Sequence, residues 1–244
     1  MGVIIFNGKS SRDYGIVVET PPDHAWPEKD YDVVHVPGRN GDLLFDNGSY
    51  KNVARSYEVA LGRRDGNFYE MVDRILTWLH SASGYARLED SYEPEYYRLA
   101  AYREGQSLTN ILGQAGRATI TFDCKPQRYL KEGEEGRVFT SSGRSIWNPT
   151  LFTSFPLIKM TMTANTAAVL TVNNCTVSIA ASTYTNNTLC IDSELQDVYS
   201  GTSNKNSIIT LNTGSFPVLS SGDNEISFSG GITKVEVVPK WWTL

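Results

Sequence analysis

The stretch from Asn67 to Ala82, N-F-Y-E-M-V-D-R-I-L-T-W-L-H-S-A, restricts the fold more than any other part of the chain. Phe68, Met71, Val72, Ile75, Leu76, Leu79 and Ala82 recur at three- and four-residue spacing, which makes one broad apolar face at helical period. Asn67 is placed to cap the first turn, Glu70 is placed as its capping-box partner, and Gly84 is placed as a left-handed stop. Almost everything else reads as short strands. A solitary helix of this length gains its stability from packing its apolar face, so that face must cover a sheet. The spacing therefore predicts a helix over 67–82 with a sheet folded around it or laid against it.

Around the helix, strands are expected at 3–6, 14–18, 31–36, 55–61, 85–88, 96–103 and 118–124, while 105–117 is ambiguous. The block T-P-P-D-H-A-W-P-E-K-D cannot be regular structure, because its three prolines lack the N–H a ladder needs. Its one large apolar group, Trp26, is either tucked into its own domain or offered to another chain. P-G-R-N-G-D-L-L-F-D-N-G-S-Y follows, and Gly38, Gly41 and Gly48, with Asn40 and Asn47, give repeated chances for positive φ. This predicts a glycine-rich hairpin. It is not a phosphate loop, since G-x-x-x-x-G-K-[ST] and a βαβ frame are both missing. Arg39 lies on the turn, either solvated or in a subunit contact.

Residues 127–144 are charged and carry glycines, and read as an extension or linker. From about 146 onward the composition changes. Only six acidic and four basic residues remain, and Thr, Ser and Asn dominate. Short alternating runs are joined at Asn173-Asn174, Asn186-Asn187, Gly201, Gly214, Gly222 and Gly230-Gly231, a pattern that predicts a sandwich or jelly roll. Two domains, 1–145 and 146–244, are expected.

The chemistry is read largely by exclusion. The three histidines, His24, His35 and His80, stand in no nucleophile–base pattern, and no Ser sits in a G-x-S-x-G elbow. The acidic runs E-G-E-E and L-E-D-S-Y-E-P-E read as solvated faces rather than a glycosidase pair. No C-x-x-C, H-x-x-x-H or EF-hand pattern calls for a metal, so no catalytic, cofactor or metal residue is expected. Cys124, Cys175 and Cys190 read as buried thiols, although Cys175 and Cys190 would be able to bridge if their strands were neighbours. The net charge of -5 implies no polyanion partner. No apolar run spans a bilayer, and the opening M-G-V-I-I-F-N-G does not read as a signal peptide. An aromatic platform for sugars stays open in the second half, with Tyr184, Tyr199, Trp241 and Trp242 as candidates.

Several stretches resemble the distal tail proteins of phages with siphovirus morphology. These are F-N-G-K-S-S-R-D-Y-G-I-V-V at the start, V-P-G-R-N-G-D-L at 36–43 followed by D-N-G-S-Y-K-N, Y-Y-R-L-A at 96–100 and A-T-I-T-F-D-C-K-P at 118–126. N-P-T at 148–150, I-D at 191–192, G-S-F-P at 214–217 and G-D-N-E-I at 222–226 extend the resemblance through the second half. It implies a mainly β protein, with an N-terminal β-barrel-like α+β domain carrying one helix and a C-terminal galectin-like β-sandwich. It also implies a non-enzymatic virion protein at the phage tail tip, assembled in the host cytoplasm. Such a protein forms a hexameric ring around the DNA channel, with DNA only passing through. The implied partners are the tail tube protein and a tail-associated lysin, tip or receptor-binding protein, with no membrane. A ring needs two complementary patches on each subunit. Trp26, Arg39, Asn40 and Asp42 are the expected interface residues on one of them. The alternative is a carbohydrate-binding adhesin that recognises host cell-surface glycans.

Overall fold

The computed structural model describes residues 2–61, 68–103 and 117–244, the side chains of Leu61 and Phe68 excepted. Asn67, the expected helix cap, and most of the ambiguous stretch 105–117 lie outside the described residues. The protein is mainly β with one helix, and its residues group into two compact units: 1–128 with Leu244, and 129–243.

In unit 1 the strands are β1 (Ile4–Phe6), β2 (Lys9–Ser10), β3 (Ile16–Val18), β4 (Lys29–Val34), β5 (Leu43–Tyr50) and β6 (Val53–Leu61). Helix α1 (Phe68–Leu79), β7 (Ala86–Asp90), β8 (Tyr96–Ala101) and β9 (Arg117–Leu130) follow. One sheet runs in the order β2-β1-β7-β8-β9-β6-β3. It curls until its ends nearly meet, where Gly2 and Val18 exchange backbone hydrogen bonds of 2.9 and 3.1 Å. The inward rows of β1, β3 and β9 and most of that of β6 are apolar, as the period-2 alternation of a one-sided sheet requires. β9 contributes Ala118, Ile120 and Phe122, and these stand opposite Val59, Tyr57 and Arg55 of β6.

The curl is filled by α1. Met71, Val72, Ile75, Trp78 and Leu79 are buried in the same cluster as the strand residues. Trp78 was not part of the expected apolar face, yet it is the largest side chain buried there. It is 1% exposed, stacks on Tyr14 at 4.8 Å, and donates its indole N–H to the backbone oxygen of Phe6 at 3.1 Å. The helix ends at Leu79, short of the expected Ala82. The Ser81 N–H tightens onto the Trp78 oxygen at 3.1 Å, and Gly84 does not take the left-handed conformation expected of a stop. Ala82 still packs against the core from outside the helix.

The row of inward side chains on β6 changes from apolar to charged at Arg55, which is 5% exposed. Arg55 pairs at 2.9 Å with both Asp90 and Glu93. Glu93 also meets Arg98 and Arg128, each at 2.8 Å. Asp90 accepts from the Tyr57 hydroxyl at 2.8 Å and from the backbone N–H of Tyr92 and Glu93 at 2.9 Å. The run L-E-D-S-Y-E-P-E is therefore not simply a solvated face: two of its carboxylates are drawn inward by arginines distant in sequence.

Unit 2 holds β10 (Arg137–Phe139), β11 (Arg144–Asn148), β12 (Leu157–Met162), β13 (Ala168–Val172), β14 (Cys175–Ile179) and β15 (Thr188–Asp192). β16 (Asp197–Ser200), β17 (Ser203–Asn204), β18 (Ile209–Leu211), β19 (Gly222–Gly230), β20 (Ile232–Val238) and β21 (Trp242–Thr243) complete it. Two sheets, β10-β20-β12-β15-β16-β17 and β11-β19-β13-β14-β18, share one buried cluster in a sandwich-like arrangement. The stretch expected to be a linker is built in, since β10 pairs with β20 and β11 with β19. The expected Asn and Gly joints recur as left-handed residues, among them Asn173, Asn186, Asn187, Gly201 and Gly214. At Gly230 (φ 71°) an added Cβ would lie 2.3 Å from the Ala167 oxygen, so only glycine fits. The three cysteines are free. Cys124 is buried, and Cys175 and Cys190 are half-buried in different sheets. Burial pushes the Cys124 thiol up to about 12.

Burial opposes ionisation of Asp90, but hydrogen bonds from Arg55 and Tyr57 outweigh it and hold the carboxyl below its ordinary value. Burial likewise opposes ionisation of Glu93, and the arginines Arg98, Arg55 and Arg128 overcome it. Two depressed carboxylates contribute stability that is complete above their ordinary values of 3.8 and 4.5. That contribution is lost as pH falls through the lowered native values. Arg55→Leu leaves Asp90 buried without its cation. It is expected to reduce unfolding free energy by about 3–5 kcal/mol, and to move the onset of acid unfolding to higher pH, both measured by urea titration across an acid pH series.

Candidate assembly interface

Among the described residues β4 and β5 pair only with each other, in a two-stranded ribbon separate from the curled sheet. The chain reaches β4 through residues 21–28, which have no regular structure, as the three prolines require. Pro27 is buried at the root of the ribbon and Trp26 beside it is 64% exposed, with the His24 ring 6.2 Å away. The ring is therefore not tucked into its own unit.

The register sets Tyr31 opposite Asp46, Asp32 opposite Phe45, Val33 opposite Leu44 and Val34 opposite Leu43. Opposed residues share a face, so Tyr31, Val33 and Leu44 lie on one side of the ribbon, and Val34, Leu43 and Phe45 on the other. Val33, Leu44 and Phe45 are 60%, 62% and 56% exposed, so apolar groups face water on both sides. Between Lys29 and Tyr31 the register slips, and β5 bulges at Asn47–Ser49. Gly48 takes φ 71° in that bulge, with its N–H donated to Asp46 at 2.8 Å. Gly38 and Gly41 are also left-handed, whereas Asn40 and Asn47 are not.

Polar bonds hold the ribbon to itself. Lys29 pairs with Asp46 at 2.9 Å near the root, and His35 meets Asp42 at 3.0 Å across the turn. The Lys29 hydrogen bond is the leading cause that lowers the Asp46 carboxyl below its ordinary value. Arg39, Asn40 and Asp42 are therefore brought together on the exposed turn. Trp26 stands at the opposite end of the ribbon, about 20 Å away at the usual rise per strand residue. Sequence reasoning missed Val33, Leu44 and Phe45. Their signal was an apolar pair at 44–45 within a polar glycine-rich context.

The sugar-platform candidates are not arranged as expected. Tyr184 and Trp241 are 8% and 2% exposed. Tyr199 and Trp242 are half-buried, and Trp242 stacks on Phe152 at 4.5 Å and donates to the Thr153 oxygen at 2.9 Å. Among the described residues no group of three or more His, Cys, Asp or Glu is placed to hold a metal ion, and no helix is long and apolar enough to cross a membrane.

No family model matches the chain, and no curated protein matches it in sequence. The fold is similar to the crystal structure of the SPP1 Dit (gp 19.1) protein, described as a paradigm of the hub adsorption apparatus in phages that infect Gram-positive bacteria. The TM-score is 0.75 at 12% identity, and 100% of both chains is covered. It is also similar to a chain of the phage P2 baseplate in its activated conformation with Ca, at TM-score 0.54 and 11% identity over 97% of each chain. For the same baseplate with Sr the TM-score is 0.55 at 12% identity, over 97% of this chain and 96% of that one. At such identities the likeness is one of fold.

An isolated two-stranded ribbon without a core face is marginally stable in water. In the unassembled protein the amides of β4 and β5 are expected to exchange with solvent at least ~100-fold faster than those of β6 and β9. Hydrogen exchange read by mass spectrometry or NMR checks this, and equal protection in all four strands would contradict it.

Proposed function

We propose that this chain is a structural subunit of a phage tail or baseplate. In this reading it forms a ring, hexameric by analogy with the family it resembles, at the distal end of the tail. The observation that carries the reading is the ribbon: a protruding element with exposed apolar side chains on both faces and two open backbone edges. That element gains most of its stability only against a partner. The likeness of the whole chain to a phage hub protein supports a second copy of this chain as that partner. On this reading the ring joins the tail tube protein to a tail-associated lysin, tip or receptor-binding protein, DNA only passes through its channel, and no reaction is catalysed.

A closed ring is built from heterologous contacts, each subunit offering one patch and receiving the other. Trp26 at the root and Arg39, Asn40 and Asp42 on the turn supply the offered patch, with Val33, Leu44 and Phe45 between them. Rings of six chains are expected in native mass spectrometry and as six-fold particles in negative stain. Arg39→Glu is expected to weaken subunit association roughly 10- to 100-fold. Val33→Asp combined with Leu44→Asp should leave monomers whose far-ultraviolet circular dichroism is close to that of the parent. A parent protein that stays monomeric at high concentration, or rings that survive both variants, would defeat the reading.

A further inference from the structure

The sequence holds three Asn-Gly pairs, Asn7-Gly8, Asn40-Gly41 and Asn47-Gly48. Such a pair is prone to spontaneous loss of the side-chain amide, because glycine has no Cβ to shield its backbone nitrogen. The structure treats the three differently. Asn7 takes φ 49° in the tight turn between β1 and β2, where Phe6 faces Lys9. Its amide donates to the Ser81 hydroxyl at 3.1 Å, and Phe6 before it is fully buried, so freeing Asn7 disturbs the core. Asn47 lies within β5. Its amide donates to Asp30 at 3.4 Å, and the N–H of Gly48 is already given to Asp46 at 2.8 Å. Asn40 and Gly41 lie in the turn between β4 and β5, outside both strands, and both are exposed. Neither the Asn40 amide nor the Gly41 N–H bonds to any described residue. The turn is held by the Arg39 N–H on the Val36 oxygen at 3.1 Å and by the His35–Asp42 contact at 3.0 Å.

The reaction needs the glycine nitrogen to swing onto the side-chain carbonyl carbon, which a loosely held turn tip allows and a ladder position does not. We propose that Asn40 is a site of spontaneous, time-dependent deamidation in the free subunit, and that docking of the turn suppresses it. The Gly41 nitrogen attacks Cγ of Asn40 and forms the C–N bond of a succinimide. The Nδ2 group leaves as ammonia, taking the proton that the Gly41 nitrogen gives up. Water then opens the ring at either carbonyl, which leaves Asp or isoaspartate in place of Asn. Each product adds a negative charge beside Arg39 and Asp42. Isoaspartate also inserts a methylene into the backbone of the turn. The effect of docking rests on the proposed ring, in which this turn is part of the offered patch. There a new carboxylate acts in the same sense as Arg39→Glu and weakens the contact. An unassembled subunit thus carries a clock that assembly stops.

Freshly purified full chain is held in mildly alkaline buffer below the concentration at which it associates, and sampled over time. Peptide mapping with fragment-ion assignment follows deamidated and isoaspartyl product at each of the three positions, against a sample digested before incubation. Product at position 40 is expected to accumulate at least ~10-fold faster than at positions 7 and 47. Equal rates at the three positions, faster conversion at 7 or 47, or no product at 40 would overturn the assignment. Aged parent, once concentrated, is expected to associate roughly tenfold more weakly than fresh parent. Asn40→Gln, whose longer side chain closes such a ring far less readily, should associate equally before and after ageing. Rings isolated from fresh chain and held in the same buffer should gain product at 40 more slowly than the free chain. A parent whose association is unaffected by ageing, an Asn40→Gln chain that weakens as the parent does, or rings that convert as fast as free chain would overturn the clock. Conversion is read by mass in the free chain, so its outcome stands apart from whether six chains close into a ring.

Discussion

The packing of α1 into the curled sheet is the constraint on which unit 1 rests. A sheet that bends back until Gly2 meets Val18 turns one face of each strand toward a common interior, and that interior must be filled without water. Strand side chains supply part of the filling and the helix supplies the rest, with Trp78 reaching across to the backbone of Phe6. The indole N–H matters as well as the ring, because once buried it finds its acceptor in the Phe6 oxygen. Filling is incomplete at the Arg55 end, where the interior changes from hydrocarbon to a set of arginines and carboxylates that satisfy one another. Such a cluster contributes little net stability by itself, but removing any single member leaves its partners charged and buried.

The ribbon of β4 and β5 is the opposite case. It has no apolar interior of its own, and its large side chains are divided between two wet faces. The core of unit 1 is thus a rigid body, while the ribbon is an attachment whose stability is borrowed from whatever it meets. The core cluster of unit 1 includes no ribbon residue, and the ribbon's large apolar side chains stay exposed. The Lys29–Asp46 ion pair and the His35–Asp42 hydrogen bond tie the two strands together without burying anything. Exposed pairs of this kind contribute little energy.

Much of this was legible in the sequence, and the failures have physical causes. The helix was visible because its apolar period is strong, and the β character of the rest because Asn and Gly joints punctuate alternating runs. The hairpin at 36–48 was visible through its glycines, three of which do take positive φ. Hidden from sequence was that this hairpin leaves the main sheet, because alternation reports which residues share a side and not whether a second layer covers that side. The cluster of Arg55, Asp90, Glu93, Arg98 and Arg128 was also hidden, since Arg55 and Arg128 lie far along the chain from the 90–98 stretch and each member looks like an ordinary surface charge. Residues 127–144 looked like an extension or linker by composition, yet β10 needs only three residues to pair, too few to register as a period. In the candidate interface, Trp26 and Arg39 were put forward by asking which residues a loop would offer, and both lie exposed. Val33, Leu44 and Phe45 were missed because they look like ordinary strand residues.

The curl also has a history in time. β1 is made before its sheet neighbours, and β2, next in the chain, gives it a local partner at once. Its other neighbour, β7, pairs Ile4 with Asp90 and Phe6 with Leu88, so that edge stays bare until the helix and the following strand have been made. The central strand β9 is translated later still. Closure of the sheet is therefore a late, long-range event, slow compared with helix formation. Throughout that interval the nascent chain exposes an apolar strand edge that other chains can reach.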